Sequence, residues 1–124
     1  MECPKCKSPM ETVTYADIEV DRCTNCFGIW FDMQEHEDLK KIRGSEAIDI
    51  GDPKIGKKYN NIDDVNCPRC HVKMIPMVDV GQHHIWYESC SRCNGLFFDA
   101  GEFKDFKNEN ILDKIRDMFT KERD

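Results

Sequence analysis

The stretch CTNCFGIWFDMQE at residues 23–35 returns as CSRCNGLFFDAGE at residues 90–102, and this recurrence decides the fold. In each copy a C-x-x-C pair is followed by a glycine (Gly28, Gly95) and a bulky apolar triplet (Ile29-Trp30-Phe31, Leu96-Phe97-Phe98). An Asp-x-x-Glu step (Asp32/Glu35, Asp99/Glu102) closes each copy. Further out, a second C-x-x-C lies upstream of each: Cys3/Cys6 stands 16 residues before Cys23/Cys26, and Cys67/Cys70 stands 19 residues before Cys90/Cys93. Gaps of about 15–20 residues between such pairs are those of structural zinc sites. All eight cysteines are used in this way, so two four-cysteine sites are expected, each holding one Zn2+.

The repeat extends beyond the ligands. An offset of 64 carries Cys3, Pro4, Cys6 and Met10 onto Cys67, Pro68, Cys70 and Met74, and an offset of 67 carries Cys23 through Lys40 onto Cys90 through Lys107. Two tandem modules are implied, fewer than a solenoid needs. Each has roughly 40 residues, near the size at which an apolar core no longer suffices. Metal binding, worth about 10–16 kcal/mol in comparable small folds, makes up the difference, so folding is expected to depend on metal. The expected boundaries are 1–43 for the first ribbon and helix, 44–66 for a docked linker, 67–108 for the second ribbon and helix, and 109–124 for a C-terminal amphipathic helix.

Charge narrows the partners. The chain carries a formal net charge of −6, divided equally between its halves, and thiolate sites filled with Zn2+ make it more negative still. Non-specific nucleic-acid binding through phosphates is thereby disfavoured. Lys5, Lys7 and Arg22 around the first site, and Arg69 and Arg92 inside the second, are expected to neutralise the thiolates. No apolar leader opens the chain and no run reaches membrane-spanning length, so a soluble protein of the reducing cytoplasm is expected, with no membrane partner.

Alternation in Met10, Val13 and Tyr15, then Ile18 and Val20, broken at Ala16-Asp17, predicts a hairpin between the two cysteine pairs. Met74 and Met77, a turn at Val80-Gly81-Gln82, then Ile85 and Tyr87 repeat it. Gly28 and Gly95 are expected to supply a positive φ where the chain leaves the knuckle, and the apolar triplets to pack in the core. Asp32/Glu35 and Asp99/Glu102 have capping-box spacing and predict a helix after each site. Ile111, Leu112, Ile115, Met118 and Phe119 give the C-terminal segment an apolar stripe, suited either to covering a ribbon or to a partner. The second hairpin differs from the first in carrying His83, His84 and Trp86, candidates for partner recognition if the modules or linker do not cover them. His36 and His71 are not expected to displace a cysteine ligand.

C-P-x-C near Met10 or Met74, followed by C-x-x-C-x-G-x-[WF]-F-D-x-x-E, resembles the zinc ribbons named after transcription factor IIB, and the likeness covers most of both repeats. It implies a small metal-stabilised α+β fold of two tandem zinc ribbons, each with a following helix, and an association with transcription. The leading expectation is a non-enzymatic ribbon protein acting as a protein-interaction adaptor. Three other readings of the same residues stand beside it: a redox-responsive zinc switch, a rubredoxin-like iron centre for electron transfer, and a nucleic-acid-binding ribbon. No Gly-rich phosphate cradle, spare cysteine nucleophile or open metal position points to an enzyme.

Overall fold

The computed structural model describes residues 1–62, 64–79 and 82–106, with only the backbone described at residues 79 and 82–86. The C-terminal amphipathic helix expected at 109–124 and the turn at Val80-Gly81 lie outside the described residues, as do the side chains of His83, His84 and Trp86. The remainder is the expected small α+β fold. Strands β1 (Met10–Tyr15) and β2 (Ile18–Cys23) form the first hairpin, and β3 (Ile29–Phe31) and α1 (Glu35–Lys40) follow it. A 3-10 turn (Ser45–Ile48) and α2 (Pro53–Tyr59) lead to β4 (Ile75–Asp79), β5 (Gln82–Ser89) and β6 (Leu96–Phe98). Residues 102–106 are again helical. Among the described residues no helix is long and apolar enough to cross a membrane.

Ala16 and Asp17 turn the first hairpin with φ of 50° and 66°. Two successive positive φ angles give the primed two-residue turn whose twist suits antiparallel strands.

The two hairpins share one six-stranded sheet, ordered β1-β2-β3-β6-β5-β4. At its centre β3 and β6 run antiparallel, with Ile29 opposite Phe98, Trp30 opposite Phe97 and Phe31 opposite Leu96. Since residue 97 is the repeat equivalent of residue 30, this register places an approximate twofold axis at the Trp30/Phe97 pair. Side chains alternate across a strand, so the apolar triplets divide between two faces. Ile29, Phe31, Leu96 and Phe98 join Val20, Leu39, Ile48, Phe103 and Phe106 in a helix-covered core. Trp30 and Phe97 turn to the other face and pack with Val65, Met74 and the cysteines.

The twofold relation explains the glycines differently from the sequence expectation. The left-handed residues are Phe27 and Asn94, each with φ of 61°, immediately before Gly28 and Gly95. The glycines themselves leave room for an aromatic ring from the opposite module. A Cβ at Gly95 would overlap Cζ2 and Cη2 of Trp30, and one at Gly28 would overlap Cζ of Phe97. Gly95→Ala must therefore displace a fully buried tryptophan, and it is expected to cost about 1–3 kcal/mol, the usual range for overpacking. The midpoint of denaturant unfolding with metal present measures this, and an unchanged midpoint would refute the ring-on-glycine reading.

The connecting segment touches both ribbons: Ile48 packs in the core beside the first hairpin, and residues 49–56 lie against the second. Asp52 accepts from the Lys54 amide (2.9 Å) as N-cap of α2, with Pro53 in the first helical position. Gly56 of this helix lets its backbone approach Ala100 closely. Asp49, fully buried, accepts from the amides of Gly101 (2.9 Å) and Lys104 (3.0 Å), satisfying the orphan donors at the start of the 102–106 helix.

Candidate metal centres

Each centre is built from two knuckles at the ends of a hairpin. In the first knuckles, Cys3 N–H donates to Ser8 and Lys7 N–H to Cys3, and the equivalent bonds join Cys67 to Val72 and His71 to Cys67, all 2.8–3.0 Å. Both turns close through a left-handed residue, Lys7 (φ 66°) or His71 (φ 59°). In the second knuckles Cys23 and Cys90 donate to the carbonyls of Gly28 and Gly95. The amides of Asn25 and Cys26 point at Cys23 Sγ (3.3 and 3.4 Å), and that of Cys70 at Cys67 Sγ (3.3 Å). Such donors stabilise a thiolate rather than a thiol.

The sulfurs converge. Cys3, Cys6, Cys23 and Cys26 form one group and Cys67, Cys70, Cys90 and Cys93 the other, each with its ligand atoms all within 4.8 Å of one another. Sulfur separations are 3.7 Å for Cys3–Cys26, 3.3 Å for Cys6–Cys23 and 3.7 Å for Cys67–Cys93. A tetrahedron with metal–sulfur bonds of about 2.3 Å has edges of about 3.8 Å. The spacing and the all-sulfur donor set therefore fit a four-coordinate, thiolate-bound metal ion. No histidine joins either group among the described residues.

Without a cation the sulfurs cannot all ionise. The hydrogen bond with Cys26 holds the Cys3 thiol down at about 5, and the same contact pushes Cys26 far above the ordinary thiol range. In the second group burial pushes Cys67 up to about 12. Burial also opposes ionisation of Cys90, but the amides of Cys93 and Arg92 outweigh it and bring that thiol to about 7. Each group thus holds at least one sulfur ready to ionise beside a neighbour that retains its proton, and a divalent cation resolves the conflict by drawing off the remaining protons.

Lys5, Arg69, Arg22 and Lys7, near the knuckles, make their closest polar contacts with carboxylates and carbonyls, and Arg69 also feels the charge of the Cys93 sulfur. Lys5, with a side chain 0% exposed, donates from Nζ to Asp99 Oδ2 (2.6 Å) and to the Tyr59 carbonyl (3.0 Å), and pairs with Glu88 Oε1 (2.7 Å). Its repeat equivalent, Arg69, reaches back to Asp32 (Nη2 to Oδ2, 2.9 Å) and Asp21 (3.7 Å). Asp32 and Asp21 are the equivalents of Asp99 and Glu88. Each first knuckle is therefore clamped to the carboxylates of the other module. Arg22 pairs with Glu11 (2.9 Å) and donates to the Ile48 carbonyl (3.0 Å), and Lys7 donates to the Pro4 carbonyl (3.3 Å).

The capping boxes are correspondingly half-formed. Glu35 Oε1 accepts from the Asp32 amide (2.8 Å) as the spacing predicts. The Asp32 carboxylate, however, takes Trp30 Nε1–H (3.0 Å) and Arg69 in place of helix amides, and left-handed Gln34 begins α1. In the second module Asp99 is taken by Lys5, and Asp49 from the connecting segment caps the helix. Glu102 lies half-buried beside them, and burial, with the nearby Asp99 and Glu88, pushes its carboxyl up to about 9. Comparing the repeats for charge as well as for cysteine flags this clamp, since Lys5/Arg69, Asp21/Glu88 and Asp32/Asp99 keep their sign in both copies.

The model of the transcription factor zinc-finger family, a zinc ribbon of the TFIIB type, matches the chain twice, over residues 2–42 and 66–109. No curated protein and no solved structure matches it.

Proposed function

Because this chain belongs to the transcription factor zinc-finger family, we propose that it is a non-enzymatic zinc-binding protein whose two ribbons form a scaffold for a protein partner. One Zn2+ would be held by Cys3, Cys6, Cys23 and Cys26, and a second by Cys67, Cys70, Cys90 and Cys93. The observation that carries this reading is the closed, all-sulfur donor set of each centre, which completes a tetrahedron and leaves no position for a catalytic water. Bound zinc supplies folding energy in such sites, and the residues around it orient the thiolates. Elemental analysis of protein purified without added metal, taken with its visible spectrum, tests the assignment. Two zincs per colourless chain are expected, and iron with a red spectrum would replace the proposal with electron transfer.

The net charge of −6 supports a protein partner over nucleic acid, and a reducing cytoplasm would keep the thiols available to metal. His83, His84 and Trp86, on β5, are the proposed recognition residues, because they distinguish the second hairpin from the first. Trp86→Ala is expected to keep both metals while weakening capture of the partner. Equal capture by mutant and parent in a pull-down would remove Trp86 from that role.

A further inference from the structure

The repeat equivalences stop short of the connecting segment, and that segment gathers a charge opposite to the chain around it. α2 carries Lys54, Lys57 and Lys58 and no acidic residue. The net charge of −6 is thus +3 on α2 and −9 on everything else. All three lysines are exposed, and none forms an ion pair among the described residues. On so acidic a chain they reduce the net charge that keeps a protein soluble, so solvation alone does not account for them.

Apolar surface lies among these charges. Ile55, between Lys54 and Lys58 on the helix, is 40% exposed, and Ile50 is 55% exposed. Gly51 and Gly56, the residues that follow the two isoleucines, both abut Ala100, which places Ile50 and Ile55 on one part of the surface. Lys57 shares a cavity of about 220 Å³ with Glu102 and Asp105, so the charge open to a partner centres on Lys54 and Lys58. The patch is also fixed in place. Asp49 and Asp52 hold its start through backbone amides, and the Tyr59 carbonyl at its end accepts from Lys5 (3.0 Å). Docking there requires no ordering of a loose linker.

We propose that α2 and Ile50 dock an acidic, apolar segment of the protein partner, with its carboxylates on Lys54 and Lys58 and its apolar side chains on Ile50 and Ile55. The inference rests on the reading of the chain as a partner-binding scaffold and supplies the chemistry of what it binds. Complementary charge of this kind steers a partner to its place and suppresses wrong ones. Nucleic acid answers the patch less well. Its phosphates would meet the lysines but leave the isoleucines bare, and a polyanion longer than α2 runs into the −9 outside it. The segment occurs once per chain, so one partner is bound despite the twofold relation of the ribbons.

A fluorescein-labelled peptide, Asp-Leu-Asp-Asp-Leu-Leu-Asp, titrated against the full metal-loaded chain tests the docking, with an oligothymidylate as the nucleic-acid probe. One peptide per chain is expected to bind, more weakly as salt rises, and to shift the backbone amide resonances of residues 50–58. Lys54→Glu together with Lys58→Glu should lower the affinity about tenfold or more. Ile50→Ser together with Ile55→Ser should lower it while leaving its salt dependence in place, each variant retaining its metals. Absence of peptide binding by a chain that holds two zincs would overturn the docking and leave the metal assignment standing. Shifts confined to β5, equal affinity in the lysine variant, or shifts at α2 from the oligonucleotide alone would also overturn it, the last assigning the patch to nucleic acid.

Discussion

Cys23→Ser is expected to leave one zinc per chain and to loosen the one that remains. The substituted site loses one of four ligands, and with it most of the roughly 10–16 kcal/mol that a structural zinc contributes to such a fold. The damage does not stop at that module. β3 lies against β6, Trp30 covers Gly95, and Lys5 in the first knuckle neutralises carboxylates of the second ribbon. The intact site should therefore give up its zinc to a chelator at least about tenfold more readily than in the parent chain, a coupling of about 1.4 kcal/mol or more. Competition with a chromogenic chelator, read alongside metal analysis, measures it. Parental affinity at the surviving site would mean that the ribbons fold independently.

Lys5→Ala should cost about 3–5 kcal/mol, because it strands the buried Asp99 and Glu88 carboxylates without a counter-charge. The equivalent change on the other side of the twofold axis, Arg69→Ala, should cost no more than about 1 kcal/mol, since Arg69 and Asp32 are both more than 40% exposed. Denaturant midpoints of the two variants, each checked for full metal content, decide the matter. Similar losses would show that burial does not set the strength of the clamp.

What the sequence made legible is what local chemistry constrains. The two four-cysteine groups and the Ala16-Asp17 hairpin follow from rules that operate within about 20 residues. The joining of the ribbons does not, because a β3–β6 ladder spans 67 residues and leaves no spacing signature. Gly28 and Gly95 were conspicuous for the same reason: the rings that require them belong to the distant copy, so a turn was the nearer explanation. Asp32 and Asp99 sit at helix starts with the right spacing, yet cations from the opposite module compete successfully for both carboxylates. Asp49 had no local partner to announce it, and its role became visible only when the connecting segment met the second helix.

The central β3–β6 ladder also changes what kind of assembly this chain is. Two ribbons related by a twofold axis are a dimer in all but covalent connectivity, and the connection turns association into a step of folding. Stability then does not depend on protein concentration, as that of a two-chain dimer would. The halves are also released from identity. One can keep an exposed arginine clamp and the other a buried lysine, and one a histidine at position 36 where the other has Phe103, differences that a homodimer encoded by a single module could not hold.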